Sequence, residues 1–161
     1  MSIQIGQNLP DAKITVIDGG DTAQRNTSDL FAGKNVLLFA VPGAFTPTCS
    51  NKHLPGYVRH FEDFRSRDIE LMCLAVNDGH VMRAWAESQH VPAGLLMLAD
   101  GNADFVRALG LELDGTSFGM GLRARRFALY AEDGVVRLLH IEAPGEFRVS
   151  SAEAMLTAIA Q

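Results

Sequence analysis

Short apolar runs alternate along the chain with stretches in which apolar side chains recur every three or four positions. The runs predict strands and the spaced stretches predict helices, because side chains repeat about every 2 residues on one face of a strand and about every 3.6 residues along a helix. Strands are predicted at 14–19, 35–41, 69–76 and 95–100, and helices at 27–34, 48–67, 80–90, 103–111 and 150–160. The segment at 27–34 is so short that it is either a capped helix or a turn.

Residues that break or end elements refine this assignment. Pro55 should kink the second predicted helix or start a second segment there, because proline has no amide hydrogen. Gly110 suits the C-cap of the helix that precedes it. Ser150 or Ser151 suits the N-cap of the last helix.

The order of the elements predicts the fold class. Strands alternate with helices over most of the chain, and "RRFALYAEDGVVRLLHIE" at 125–142 predicts a hairpin about the turn Asp133-Gly134. The runs at 35–41 and 69–76 are apolar enough to be strands buried on both faces, and the helix between them makes a right-handed βαβ unit. We therefore expect one α/β domain over 1–161, with a thioredoxin-like mixed central sheet flanked by helices, a C-terminal β-hairpin and a terminal helix.

The composition is that of an ordinary globular protein. Of 161 residues, 47% are hydrophobic and 20% charged, and the formal net charge of −5 argues against nucleic acid as a partner. No apolar run approaches the roughly 20 residues of a membrane span. The N-terminus lacks the basic and apolar regions of a signal peptide. We therefore expect a cytoplasmic protein without a membrane partner.

The chain has two cysteines, Cys49 and Cys73. In a cytosolic protein two thiols are more often free or catalytic than joined in a structural disulfide. Cys73 lies within the apolar run at 69–76, which indicates a buried thiol. The histidines are scattered and no Cys/His cluster has zinc-ligand spacing, so no metal site is expected.

Cys49 follows a strand that ends near Val41 and a turn rich in proline and threonine. A helix that begins near Thr46 places Cys49 in its first turn, where unpaired N–H groups and the helix dipole favour the thiolate, the nucleophilic form of the side chain. Pro47 fits this position because the first helical residues need no amide donor. On this feature alone the alternative is a small packing residue, with Thr46 as an N-cap bonded to the Cys49 amide.

The segment "VPGAFTPTCSNKHLPG" at 41–56 contains "PGAFTPTC", which matches Pro-x-x-x-Thr-x-x-Cys, the active-site signature of the peroxiredoxins. It resembles the type II (atypical, five-like) subgroup, and the resemblance continues in "IGQNLPDAKI", "CLAVNDGHVMRAWA" and "RARRFALYAEDGVV". It implies a thioredoxin-like fold and thiol-dependent reduction of hydrogen peroxide and organic hydroperoxides in antioxidant defence. It also implies that no metal or organic cofactor is used.

The resemblance gives each matching residue an expected role. Cys49 would be the peroxidatic cysteine, whose thiolate attacks the peroxide O–O bond and becomes a sulfenic acid. Thr46 would bond the thiolate and orient the peroxide, and Pro42 would shield the pocket from water. Arg126 would stabilise the thiolate and the polarised peroxide oxygen, with Arg123 as the second choice in the "RARR" cluster.

Other pocket residues are suggested by their positions. The backbone amides of Thr48 and Cys49 are natural donors to the peroxide, although Thr48 stands where relatives often have glycine. His53 comes four residues after Cys49 and is either a general base or, as we favour, a partly buried pocket histidine. Phe45 is expected to contact the substrate. Phe45, Phe118 and Met120 could rim an apolar pocket or form the seam of a homodimer.

The thiol that resolves the sulfenic acid is left open between Cys73 and an external reductant. Relatives that form an intramolecular disulfide often have a cysteine near the C-terminal helix, where this chain has Ser150. We favour glutathione with glutaredoxin, or a thioredoxin, as the partner.

Two other functions compete with a peroxidase. A disulfide exchanger would need a Cys-x-x-Cys motif, and Lys52 stands here in place of the second cysteine. The main alternative is a non-catalytic redox-signalling or chaperone-like binding module.

Overall fold

Nine strands and six α-helices make up the computed structural model, which describes residues 1–161. The strands are β1 (Lys13–Asp18), β2 (Asp21–Asn26), β3 (Asn35–Ala40), β4 (Glu70–Ala75), β5 (Leu95–Ala99), β6 (Glu112–Gly115), β7 (Gly121–Ala124), β8 (Phe127–Glu132) and β9 (Val135–Ile141). The helices are α1 (Thr27–Phe31), α2 (Leu54–Arg59), α3 (Phe61–Arg65), α4 (Gly79–Ser88), α5 (Asp104–Leu109) and α6 (Ala152–Ile159). A π-helical turn at Cys49–His53 and a 3-10 turn at Thr116–Phe118 complete the elements.

Seven of the strands form one mixed sheet in the order β2-β1-β5-β4-β3-β8-β9. β4 pairs in parallel with β3 and β5, whereas β8 runs antiparallel to β3 and β1 antiparallel to β5. The chain crosses from β3 to β4 through α2 and α3, because parallel strands cannot be joined by a tight turn. The expected thioredoxin-like α/β fold, with its closing β8–β9 hairpin and terminal helix, is confirmed.

The central sheet separates two halves of the core. Along β3, Val36 and Leu38 face one half while Leu37 and Phe39 face the other, and all four side chains are fully buried. The continuous apolar run therefore reports a strand covered on both faces, as predicted. Cys49 belongs to the second half, on the side of the sheet where α2 packs.

Three local predictions agree with the structure. Gly110 ends α5 with a φ of 70°, in the left-handed region that glycine adopts without strain. Asp133 and Gly134 have φ values of 48° and 76° and form the turn between β8 and β9. Ser151, the second of the two candidates, caps α6 by accepting a hydrogen bond from the amide three residues later at 3.1 Å.

Several elements differ from the sequence prediction. β2 was not predicted because all six of its residues are exposed, so they show no alternation of apolar and polar positions. The β6–β7 hairpin was not predicted because its strands have only four residues each and pair only with each other. The helix expected at 48–67 is divided into the π-helical turn, α2 and α3, and α1 begins without a side-chain cap.

Candidate active site

The candidate nucleophile lies just beyond β3, where the next helix starts. Helical structure begins at Pro47, so Cys49 lies in the first helical turn, as predicted. This turn is π-helical, because the Leu54 amide donates to the Cys49 carbonyl five residues earlier. Pro55 accounts for the wider turn, since it has no hydrogen for the carbonyl four residues before it and its ring would clash with that carbonyl in an α-helix. The second segment predicted at Pro55 is confirmed by the start of α2.

An arginine guanidinium contacts the thiol. Cys49 is fully buried, and Nη2 of Arg126 donates to its Sγ at 3.0 Å. Arg126 directly precedes β8, whose first residue pairs with the last residue of β3, so the sheet register brings the guanidinium to the end of β3. Arg123 donates instead to the backbone carbonyls of Met120 at 2.9 Å and Val76 at 3.2 Å. The structure therefore brings Arg126, and not Arg123, to Cys49.

His53 is fully buried and holds the other end of the same guanidinium. Its Nδ1 lies 2.8 Å from Nη1 of Arg126, and its Nε2 lies 3.0 Å from the Ser150 carbonyl oxygen. Burial, reinforced by the charge of Arg126, lowers the pKa of His53 to about 3, so the ring is neutral near pH 7. Both ring nitrogens are engaged, which leaves His53 without a free lone pair to act as a general base, and it is buried more deeply than we expected.

Further hydrogen-bonding groups lie at the start of the helix. The amides of Thr48 and Cys49 have no partner within the protein, as is usual in a first helical turn. The Thr46 hydroxyl donates to the Gly43 carbonyl at 2.7 Å and bonds neither the thiol nor the amide of Cys49, in contrast to both expectations. Because its one proton is committed, the Thr46 oxygen can only accept a hydrogen bond in this arrangement.

A cavity of about 300 Å³ opens over the guanidinium of Arg126, and its lining is mainly apolar. Pro42 and Thr48 belong to this lining. Phe45 and His53, which were also expected to contact the substrate, lie outside it: Phe45 is 56% exposed at the surface and His53 is buried behind the guanidinium. The rest of the lining is formed by Leu113, Phe118, Arg125, Glu142, Ala143, Pro144, Gly145 and Glu146.

Cys73 lies in β4 at the centre of the sheet. It is in register with Phe39 on β3 and with Met97 on β5, and it is fully buried. Burial raises the pKa of this thiol well above its ordinary value, so it remains protonated and poorly reactive in the folded protein. Both cysteines are free.

The sequence did not indicate the part that Ser150, Phe147 and Glu142 play in organising the site. Ser150 acts through its backbone carbonyl, which leaves no trace in the sequence. Phe147 packs over the imidazole of His53 at 4.9 Å between ring centroids and lies 5.9 Å from the Arg126 guanidinium. Glu142 is a buried carboxylate bonded to the following loop. A single acidic residue that directly follows an apolar strand was the signal that could have drawn attention to Glu142.

The structure has neither a membrane-spanning helix nor a cluster of metal ligands. None of the helices has the length and apolarity required to cross a bilayer. His, Cys, Asp and Glu side chains nowhere gather in groups of three or more that could hold a metal ion.

The site defines a cysteine-dependent oxidoreductase. It consists of a buried thiol at a helix start, an arginine bonded to its sulfur and a mainly apolar cavity, all on a thioredoxin-like sheet.

Comparison with known proteins identifies the family. The profile of the redoxin family matches residues 4–156. Peroxiredoxin-2E, a chloroplastic protein of Arabidopsis thaliana, is 46% identical over 98% of this chain and 70% of its own length, and peroxiredoxin-2B of the same plant is 43% identical over 98% of each chain. The crystal structure of reduced Prx3 from Vibrio vulnificus in complex with H2O2 is 47% identical, covers 98% of this chain and 99% of that one, and superposes with a TM-score of 0.91. The chain belongs to the redoxin family and, within it, to the type II peroxiredoxins, which are thiol-dependent peroxidases of antioxidant defence.

Proposed function

We propose that this peroxiredoxin reduces hydrogen peroxide and organic hydroperoxides at Cys49, with Arg126, Thr46 and Pro42 as the other catalytic residues. The Cys49 thiolate attacks one peroxide oxygen, the O–O bond breaks, and the sulfur becomes a sulfenic acid. The second oxygen takes a proton and leaves as water or as an alcohol. Because negative charge moves from the sulfur to the leaving oxygen, a fixed cation and preorganised donors stabilise the transition state.

The observation that carries this proposal is that Arg126, which lines the cavity, donates a 3.0 Å hydrogen bond to the sulfur of Cys49, a buried residue outside the lining. A guanidinium has five N–H donors in a fixed fork, so those not used on sulfur and on His53 remain for a peroxide oxygen. The unpartnered amides of Thr48 and Cys49 supply further donors. The Thr46 oxygen accepts from the peroxide hydroxyl, and Pro42 covers the site with a ring that has no donor for water.

The size of the cavity supports organic hydroperoxides as substrates beside hydrogen peroxide. Its volume of about 300 Å³ is several times that of a peroxide group, which leaves room for an organic substituent. Leu113, Phe118 and Pro144 give that space apolar walls. Burial of an alkyl or aryl substituent against such walls contributes about 25 cal/mol per Å².

The proposed nucleophile is tested by paired cysteine variants. Cys49→Ser should abolish peroxide consumption because a hydroxyl is not ionised at neutral pH, whereas the buried Cys73→Ser should keep most of the activity when an external thiol is supplied. The assay is peroxide consumption with each reductant, and circular dichroism checks that both variants are folded. Near-normal turnover by Cys49→Ser would remove the basis of the proposal.

An external thiol is proposed as the resolving group, with glutathione and glutaredoxin favoured over a thioredoxin. Cys73 is fully buried in a central strand, and the position near α6 where some relatives have a cysteine is occupied by Ser150. An attacking thiol forms a mixed disulfide with Cys49 and releases water, and a second thiol then regenerates Cys49. Mass spectrometry of the peroxide-treated protein with glutathione should find the adduct on Cys49. A dominant Cys49–Cys73 disulfide would contradict this scheme.

A cytoplasmic homodimer that pairs through Phe45 and Phe118 is also proposed. The two side chains are 56% and 80% exposed, and large exposed aromatic residues are typical of interfaces. Phe118→Lys should lower the mass measured by sedimentation equilibrium from that of a dimer to that of a monomer. Two free thiols suit a reducing compartment, and cell fractionation tests that location.

A further inference from the structure

Glu142 is a buried carboxylate whose partners all lie in the loop that follows it. Glu142 directly follows β9, and residues 143–151 lead from it to α6; we name them the strap. The carboxylate accepts hydrogen bonds from three consecutive strap amides, those of Arg148, Val149 and Ser150, at 2.8–2.9 Å, and from the Ser150 hydroxyl at 2.7 Å. Although burial opposes it, these hydrogen bonds lower the pKa of Glu142, so the carboxylate is charged near pH 7.

The strap in turn contacts the pair formed by His53 and Arg126. The Ser150 carbonyl accepts from the Tyr57 hydroxyl at 2.7 Å and lies 3.0 Å from Nε2 of His53. The Phe147 ring lies 4.9 Å from the imidazole and 5.9 Å from the guanidinium. Two points of the strap, the Ser150 carbonyl and the Phe147 ring, therefore contact the imidazole.

The partners of His53 determine where its proton lies. Arg126 can only donate, so Nδ1, at 2.8 Å from Nη1, must accept. Nε2 then carries the hydrogen and donates to the Ser150 carbonyl, which can only accept. The other tautomer would set an N–H against the guanidinium and a lone pair against the carbonyl oxygen. The remaining neighbours of His53 are the rings of Phe39, Tyr57 and Phe147. Burial raises the pKa of Tyr57, so its hydroxyl is uncharged near pH 7. Arg126 is therefore the charged group that faces the imidazole.

We propose that Glu142 is a positioning residue for the reactive thiol. By holding the strap it sets the Ser150 carbonyl, which keeps His53 as the Nε2–H tautomer. The Nδ1 lone pair then orients Arg126 so that Nη2 reaches the sulfur of Cys49. The proposal rests on the role of Arg126 given above, but its tests are made on the reduced protein and use no peroxide.

The proposal predicts that replacing Glu142 shifts the pH dependence of Cys49 alkylation in the direction opposite to that expected from the loss of its charge alone. Removing a negative charge near a thiol favours the thiolate and should lower the pH at which Cys49 becomes reactive. If Glu142 acts through the strap, Glu142→Gln loosens Arg126 and should raise that pH instead. Because Arg126 is displaced and not lost, we expect this rise to be smaller than the rise in a variant that lacks the guanidinium.

The first experiment follows the alkylation rate of Cys49 by iodoacetamide against pH. Glu146 belongs to the strap, but its carboxylate bonds no strap amide and meets the Arg148 side chain at 3.9 Å. Glu142→Gln should raise the midpoint, whereas Glu146→Gln, which removes a carboxylate from the same cavity and leaves the strap hydrogen bonds in place, should lower it slightly. A midpoint for Glu142→Gln that stays in place or falls, in a protein with the circular dichroism spectrum of the wild type, would overturn the proposal.

The second experiment separates hydrogen bonding by His53 from its packing. His53→Gln offers an acceptor and a donor about as far apart as the two ring nitrogens and should keep the alkylation midpoint close to that of the wild type, whereas His53→Leu fills the space and should raise it. Equal alkylation midpoints for the two variants would show that the imidazole acts only through packing, which would contradict the proposal. Nitrogen-15 NMR of the wild-type protein reads the tautomer directly and does not depend on how any variant folds. A protonated Nδ1 in that spectrum would overturn the proposal.

Discussion

Replacing Arg126 with glutamine removes the charge beside the thiol and keeps a polar side chain. Arg126 contributes a hydrogen bond of 3.0 Å to the Cys49 sulfur and one of 2.8 Å to His53. Glutamine can replace at most one of these two bonds, because its amide is shorter than the guanidinium fork. The Arg126→Gln variant therefore isolates the contribution of a fixed cation to forming the thiolate and to reducing peroxide.

The hydrogen bond to sulfur gives the direction of the effect. A cation beside a thiol favours the thiolate, so its removal should raise the pH at which iodoacetamide alkylates Cys49. Loss of a donor to the transition state costs about 100–1000-fold in rate, so peroxide reduction at pH 7 should fall at least 100-fold.

The assay combines alkylation against pH with single-turnover peroxide reduction followed by rapid quench. Arg123→Gln is the matched control, because Arg123 bonds the carbonyls of Met120 and Val76 and does not reach the thiol. It should lower stability and leave the midpoint of Cys49 in place. Arg126→Lys should recover only part of the rate, since an ammonium group has the charge without the planar fork. If Arg126→Gln kept the wild-type midpoint and rate while Arg123→Gln lost them, the proposed role would pass to Arg123.

Two further predictions concern neighbouring residues. Thr46→Val should slow peroxide reduction by about 10–100-fold because it removes the acceptor oxygen, while Thr46→Ser should stay near the wild-type rate; an equal loss in both variants would point to the methyl group instead. The free energy of unfolding should fall by up to about 1.4 kcal/mol per pH unit as the pH drops from 6.5 to about 3, because the unfolded chain binds a proton that folded His53 does not. Urea unfolding at several pH values measures the slope of the free energy of unfolding against pH. His53→Gln should reduce this slope, and an unchanged slope in that variant would assign the effect to other groups.

The sequence was sufficient for the parts of the site that depend on local patterns. The continuous apolar run of β3 predicts a buried strand, and the Pro-x-x-x-Thr-x-x-Cys segment after it predicts a thiol in a first helical turn. Both features are encoded within a few neighbouring residues. The choice between Arg123 and Arg126 was harder, because residues 125 and 126 lie between strands and strand alternation does not apply to them.

The parts that the sequence did not reveal depend on contacts between distant residues. His53 meets the Ser150 carbonyl across 97 positions of the chain and Arg126 across 73. The Thr46 hydroxyl turns to the Gly43 carbonyl, a choice between nearby acceptors that residue types alone do not determine. Periodicity reports which face of an element is buried, but it does not report which backbone carbonyl that face will meet.

The π-helical turn links local sequence to the placement of the thiol. Pro55 cannot donate to the carbonyl of Asn51, and the wider turn at Cys49–His53 accommodates the missing bond. In a regular α-helix one residue corresponds to about 100° of rotation, so removing the extra residue of this turn would rotate Cys49 away from its present direction relative to α2. A helix without the π-helical turn would therefore have the missing backbone hydrogen bond, but it would turn the Cys49 sulfur away from Arg126.

Pro55→Ala tests this trade-off between stability and reactivity. Alanine supplies the missing donor and is the best helix former, so the midpoint of urea unfolding should rise by the equivalent of about 1 kcal/mol. The alkylation midpoint of Cys49 should rise as well, because the sulfur no longer meets Nη2 of Arg126, and peroxide reduction should slow in parallel. Hydrogen exchange of the new amide at position 55 reports whether it has formed a hydrogen bond. A variant with a protected amide and unchanged thiol reactivity would show that the π-helical turn is only the consequence of the proline and does not place the nucleophile.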